Sequence, residues 1–437
     1  MSNYRRWVPL ILGLCLVLSW YKLISGNVSI GDEYNQYVTE ARKYAADGIT
    51  KYALENYNLA LEVKSSPELY VEVANYYKEQ KNTNEYVVWA ENAVSEYGTS
   101  SIAYDCLMDA YLTVKDYEAC YDLLDVIEKR EIRSDYIEQV KEQIKYYYHF
   151  DYNTFDDVGV YSNNYCAVKS KEVWGFVDRY GNLRISCKYP IVGVYTKTNY
   201  VSVVNKDGDA YFIDKSGSKV LVFDNKYEQF GLLADNVIAA KTKEGKYEYI
   251  TEDKEVLLSG YDYASTMNGG VAAVVQNSVL SLIGSDGKPL TKENYKNVIM
   301  DEKQIVYRNE RLFVQKENEK YIMIDSSGKQ IGQQEYEDAK LFSSESYAAV
   351  KINGEWLFVD KNGKRLSDKT YEDARSFNNG LAAVKIGGKW GFVDETETIC
   401  IEPQFEDARD FNEKGSCFVK EDGSWQLLKL YRLNREE

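Results

Sequence analysis

The chain has 437 residues, with 69 acidic side chains against 53 basic ones and a formal net charge of −16. That length allows two or three domains, each able to bury its own core. The acidic balance argues against nucleic acid, which needs a basic stripe facing the phosphates, and an aromatic content of 14%, with 40 tyrosines, argues against disorder. The single histidine, His149, excludes multi-histidine metal sites and leaves little acid–base chemistry for neutral pH.

At the N-terminus, Arg5 and Arg6 precede an apolar run from Trp7 to Tyr21, which reaches Ile24 once Lys22 snorkels to the headgroups. As a helix, residues 7–24 rise about 27 Å, against a hydrocarbon core of about 30 Å. Trp7 stands at one end and Trp20 and Tyr21 at the other, where interfacial aromatics belong. The two arginines predict a cytoplasmic tip of residues 1–6 and a single-pass chain whose bulk lies outside the cytoplasm. A cleaved signal peptide begins the same way, but no small-residue cleavage site follows the run, and an uncleaved anchor is the favoured reading. Beyond residue 25 the balance is 50 basic to 69 acidic residues, too acidic to bind the anionic bilayer beside it.

Residues 33–148 read as a helical array, with apolar residues at helical spacing and Pro67 as the sole proline. The array repeats. Tyr37, Tyr70 and Tyr104 open three units 33 and 34 residues apart, followed four positions on by Ala41, Ala74 and Met108 and seven on by Tyr44, Tyr77 and Tyr111. The second halves carry Ala53, Tyr57, Ala60; then Tyr86, Ala90, Ala93; then Cys120, Leu124, Ile127. Small residues where helices approach and aromatics filling the gaps, at a period of 34, form a helix–turn–helix repeat signature. At these residues the segment resembles the tetratricopeptide repeat family, with tyrosine replacing the leading tryptophan. Ser134–Tyr148 is expected as a closing helix over the last apolar face. The array's own surplus of acids has two readings, a solvated outer face, which is favoured, and a groove for a basic peptide.

From 151 to 431 the pattern changes to period-2 runs rich in Val, Ile, Phe and Tyr between turns of Gly, Asn and Asp. A marker aromatic recurs as Phe155, Tyr189, Tyr227, Tyr261, Tyr295, Tyr336, Tyr371 and Phe405, at intervals of 34, 38, 34, 34, 41, 35 and 34. A second marker recurs near the end of each hairpin, as Trp174, Ala210, Tyr247, Leu280, Tyr321, Trp356, Trp390 and Trp425. Each unit predicts a strand such as LAAVKI with one buried face, a tight turn, a second strand such as KWGFVD, and a short third strand before the next marker starts a new unit. Asp178, Asp214, Asp325 and Asp360, each three residues before a glycine, predict type I turns in which the carboxylate accepts backbone N–H groups. Pro190 and Pro403 are expected where a strand stops pairing.

These residues resemble the WG (KWG) repeat family, carried by Trp174–Gly175 and Trp390–Gly391. Trp356–Leu357 and Trp425–Gln426 keep only the tryptophan. The resemblance implies a binding module and no reaction, and makes Trp174, Gly175, Trp356, Trp390, Gly391 and Trp425 the repeat-defining structural residues. Eight units that cannot bury their own faces must stack on neighbours. The expected class is thus multidomain, a tetratricopeptide-like α array followed by an all-β repeat domain, read as a β-propeller with an open β-solenoid as the alternative. Cys166 and Cys417 hold the same position in the first and eighth units, candidates for a seam.

The acidic pairs Asp156–Asp157, Glu337–Asp338, Glu372–Asp373 and Glu406–Asp407 look like catalytic carboxylates, but a pair repeated at one unit position is scaffolding. The Asp-x-x-Gly turns lack the alternating acids of a calcium loop. Cys106 and Cys120 stand as a disulfide or as buried thiols, and His149 as a junction residue. With no nucleotide, nucleophile-elbow or zinc motif present, no catalytic residue, cofactor or metal is expected. The sequence therefore predicts a non-catalytic, membrane-anchored extracytoplasmic scaffold at a bacterial surface, binding protein through both repeat domains. The alternative is a receptor for cell-wall glycan, polysaccharide or peptidoglycan, using exposed aromatics. A hydrolase with an unrecognised carboxylate site is third.

Overall fold

The computed structural model describes residues 31–343 and 347–431. The expected anchor at 7–24 lies outside the described residues; among them, no helix is long and apolar enough to cross a membrane. The chain divides into two compact units between Lys145 and Tyr146.

The first unit is a helical array: α1 (residues 31–46), α2 (Thr50–Val63), α3 (Pro67–Glu79), α4 (Thr83–Glu96), α5 (Ser101–Val114), α6 (Tyr117–Lys129) and α7 (Asp135–Gln143). Local chemistry sets the starts. The side chains of Ser66, Asn82, Asp116 and Ser134 accept from the backbone N–H three residues on, and Pro67 fills the first turn of α3, where no donor is needed. Ala41, Ala53, Ala60, Ala74, Ala90 and Ala93 are fully buried, so the helices approach closely where the repeat places alanine. Ion pairs cross between alternate helices, with Arg42 donating to both carboxylate oxygens of Glu72 at 2.7 Å and Lys78 bonding Asp109. The closing helix stops at Gln143 rather than Tyr148. Tyr148 opens a strand instead, because the aromatic run after it finds a sheet partner, and pairing there overrides helical periodicity.

The second unit contains eight small sheets. Blade 1 runs from an inner ladder, Asp157–Val158, through Tyr165–Ser170 and Val173–Asp178 to an outer strand, Leu183–Tyr189. Blades 2 to 7 follow at 191–221, 227–261, 263–284, 297–324, 338–360 and 373–405, and blade 8 at 407–430. One backbone bond recurs in every blade, just past the inner ladder. Gly159, Gly193, Gly231, Ser265, Ile299, Lys340, Arg375 and Arg409 each donate N–H to the second strand, at 2.8–3.0 Å. Apolar clusters then join each blade to the next. The last of them joins blade 8 to blade 1, packing Cys166, Val168 and Val177 against Phe418, Trp425 and Leu427.

The ring therefore closes, and the domain is an eight-bladed β-propeller and not an open solenoid. The closure is reinforced by chain exchange. Blade 8 takes its outer strand from the start of the unit, Tyr148–Phe155, which pairs antiparallel with Ser424–Leu430. Cys166 lies in this seam, while Cys417 faces the cluster shared with blade 7; both are buried free thiols, as are Cys106 and Cys120.

Three expectations change. LAAVKI is buried on both faces, since Ala382 and Val384 pack toward blade 6 and Leu381 and Ala383 toward blade 8. The marker aromatic closes the preceding blade instead of starting the next: Tyr189 pairs with Trp174, and Phe405 with Trp390. Pro403 lies inside the outer strand Ile399–Phe405, at a register shift on a sheet edge, where its missing N–H costs no ladder bond.

Candidate functional site on the propeller axis

The repeat-defining residues are structural in their surroundings. Trp356, Trp390 and Trp425 are buried, and each carries a cation from its own blade. Lys340 lies 5.0 Å from the Trp356 ring centroid, Arg375 5.8 Å from Trp390 and Arg409 5.0 Å from Trp425. Trp174 has Gly159 at the cation's position and is only half-buried. A ring so covered is not presented for stacking on a sugar.

The glycines answer to the outer strand. A Cβ on Gly175 would stand 2.3 Å from Ile185 O and 2.7 Å from Cys187 N, and one on Gly391 would stand 2.5 Å from Ile401 O and 2.7 Å from Pro403 N. In both blades the outer strand advances four residues while the third advances two, so its bulge crosses directly over the glycine.

The acidic pairs divide their work between two backbone tasks. The second acid (Asp157, Asp338, Asp373 or Asp407) opens the inner ladder and accepts from the next N–H at 2.8 Å. The first acid reaches the hairpin turn. Asp156 accepts from Lys171 N, Glu337 from Gly354 N, Glu372 from Gly388 N and Glu406 from Gly423 N, at 2.8–3.1 Å. Asp262 does the same toward Asn277 N at 2.8 Å, a fifth instance. The turn aspartates behave alike. Asp178 Oδ1 accepts from Tyr180 N and Asn182 N, and Asp360 Oδ1 from Asn362 N and Lys364 N. Gly181 and Gly363 hold φ near +85° and +81° in those turns.

One polar cluster is not spent in this way, and it sits where the inner ladders converge. The residue after the inner ladder is Gly159, Gly193, Gly231 and Ser265 in blades 1–4, but Lys340, Arg375 and Arg409 in blades 6–8. Blade 5 inserts a loop between its ladder, Asn297–Val298, and its second strand, Leu312–Gln315. Asp301 braces that loop by accepting from Lys303 N and Ile305 N at 2.9 Å and pairing with Arg308 at 2.6 Å, and Thr266 Oγ1 donates to Lys303 O at 2.8 Å. From it Glu302 crosses the axis to blades 7 and 8, with Oε1 3.5 Å from Arg375 Nη1 and 3.8 Å from Arg409 Nη1.

Arg375 also lies 3.7 Å from Asp407, and Arg409 donates to Val158 O at 3.1 Å. Asp410 stands among these groups, its Oδ1 closed to solvent and without a hydrogen-bond partner, as are the Nε atoms of both arginines. Burial pushes the Asp410 carboxyl above the ordinary carboxylate range, with Arg375 opposing and Glu302 adding. Burial, reinforced by Arg308, holds the Lys303 ammonium below its usual range. The arrangement can bind an anion. No group of three or more metal-ligating side chains occurs among the described residues.

Of this cluster the sequence singled out only Asp407, and as scaffolding; Glu302, Arg375, Arg409 and Asp410 were not marked. The available signal was the 41-residue interval from Tyr295 to Tyr336, which is the insertion carrying Glu302, together with the switch from glycine to cation after the ladder.

The sequence matches no curated protein. Similar solved structures include BamB from Moraxella catarrhalis, at 9% identity and a TM-score of 0.41, covering 65% of this chain and 100% of that one. Saccharomyces cerevisiae Sqt1 follows at 13% and 0.40, covering 64% of this chain and 97% of its own, and a eukaryotic initiation factor at 9% and 0.43, covering 66% and 87%. Residues 323–356, 358–390 and 390–425 match the WG containing repeat family, a stretch that runs from the last strand of blade 5, through blades 6 and 7, to Trp425 in blade 8.

Proposed function

We propose that this protein is a membrane-anchored, extracytoplasmic scaffold that binds another protein and catalyses no reaction. The observation that carries the reading is the fate of the repeated polar residues. The acids that recur from blade to blade are consumed by backbone N–H groups of ladders and turns, which leaves the repeats as surface and frame. A helical array whose buried alanines and capped helix pairs resemble tetratricopeptide repeats supplies a second surface. Two such surfaces in one chain would allow bivalent capture, in which linkage raises avidity without new contacts. The anchor of this reading is the apolar run at 7–24, with Arg5 and Arg6 holding the N-terminus in the cytoplasm.

The test is crosslinking in living cells with a tagged full-length chain, followed by identification of what co-purifies from the membrane fraction. A defined protein at constant stoichiometry, lost when residues 33–147 are deleted, sustains the scaffold. Wall glycan without a stoichiometric protein overturns it in favour of a polysaccharide receptor.

A further inference from the structure

We propose that Arg375 and Arg409 form a carboxylate-binding site at the mouth of the propeller axis, held in this structure by the chain's own Glu302 as a displaceable occupant. The inference stands apart from the scaffold reading and survives its failure.

A guanidinium carries five N–H donors in a rigid fork. Arg375 is about four-fifths buried, yet its guanidinium makes no hydrogen bond to any described residue. Arg409, similarly buried, spends one donor on Val158 O. A buried donor left without an acceptor forfeits the hydrogen bond that water gave it in the unfolded chain. Two forks that share one carboxylate oxygen, each with a buried Nε left open, form a donor site that is underfilled.

The occupant identifies the chemistry. Glu302 offers one carboxylate oxygen to both arginines at 3.5 and 3.8 Å, well outside the roughly 2.7–2.9 Å of a charge-assisted bond. Its side chain is half exposed, and it rides on an insertion that the other blades lack. The arginines, by contrast, are held, their guanidiniums lying by Trp390 and Trp425. A carboxylate entering from solvent would meet fixed forks and a weakly held competitor. Charge agrees. Lys303, Lys340, Arg375 and Arg409 face Glu302, Asp407 and Asp410. The cations outnumber the acids by one, so a carboxylate arriving from solvent meets a net positive site whether or not Glu302 has swung away.

The experiment titrates the full-length chain with three probes: glutarate, a short Glu-containing peptide, and inorganic phosphate. Tryptophan fluorescence reads the site directly through Trp390 and Trp425, and the thermal midpoint provides a second readout. Saturable binding of glutarate or the peptide is expected, tightened about tenfold by Glu302→Gln, since removing an internal competitor returns its coupling energy. Arg375→Gln should abolish it. Arg375→Lys, which keeps the charge and the fold but removes the fork, should weaken it at least as much as Glu302→Gln strengthens it. Tighter binding of the peptide assigns the carboxylate to a protein side chain, and tighter binding of glutarate assigns it to a free dicarboxylate. Two results overturn the proposal: no saturable binding of either carboxylate to Glu302→Gln, or phosphate bound more tightly than both.

Discussion

Blades 7 and 8 are adjacent in the ring and differ at one residue of their signature, Gly391 in one and Gln426 in the other. In blade 7 the outer strand bulges between the partners of Trp390 and Phe392, placing its backbone over Gly391. In blade 8 the outer strand comes from the far end of the domain, and Gln426 pairs directly with Thr154, while the shift falls one residue later, between Phe150 and Thr154. An ordinary ladder position accepts a side chain, and Gln426 uses its own to donate to Asp151 O at 2.8 Å. Blade 3 supports the same rule. Its outer strand advances three residues where blades 1 and 7 advance four, and Glu248 replaces the glycine. The glycine of the repeat is thus a response to where the outer strand bulges, and the tryptophan to what covers it.

The largest effect that sharpens this comparison is Trp390→Ala, which opens a buried cavity and leaves Arg375 without its ring. A loss of about 3–5 kcal/mol is expected in urea denaturation. The matching change at Trp174, half-buried and without a cation above it, should cost clearly less. Equal losses at the two positions would break the link between burial, cation cover and the tryptophan. The next effect is Gly391→Ala. Its Cβ would meet strand backbone, which cannot step aside, so roughly 3 kcal/mol is expected. Gln426→Ala, losing one hydrogen bond at a ladder position, should cost about 1 kcal/mol.

The sequence disclosed these features unevenly. Eight recurrences of an aromatic in register were enough to count the blades, because a blade too small to bury its faces must repeat the residues that fill its interfaces. The closed ring was the favoured reading, but the strand exchange that seals it was not legible. It depends on residues 148–155 pairing with residues 424–430, a contact of about 275 positions' separation between segments that show no local mark of it. The same contact hid the end of α7, because the aromatic run after Gln143 satisfies helical spacing and becomes strand only when Leu428 and Leu430 are beside it. The axial cluster was hidden for another reason. Arg375, Arg409 and Glu302 come from three blades and meet at the axis, so no window of sequence contains them together, and the long interval before Tyr336 marked the insertion without saying where it points.

The smallest effect concerns the two halves of that axis, one lined by glycine and serine and the other by cations. Asp410 belongs to the charged half, where Arg375, Arg409, Lys340 and Lys303 face it along with Glu302. Its carboxyl is raised in the folded chain, with burial as the first cause. A carboxyl raised on folding contributes fully below its unfolded value, about 3.9 for aspartate, and that contribution is lost as pH climbs through the raised value, where the buried group must ionise. Stability of the wild type relative to Asp410→Asn should therefore be greatest in acid and fall as pH rises above the ordinary carboxylate range. Paired thermal melts across that range read the difference directly. A difference that stays flat, or grows with pH, would mean that the surrounding cations hold Asp410 as an anion throughout, and the charged half of the axis would then be an internally settled network with less call for an outside carboxylate.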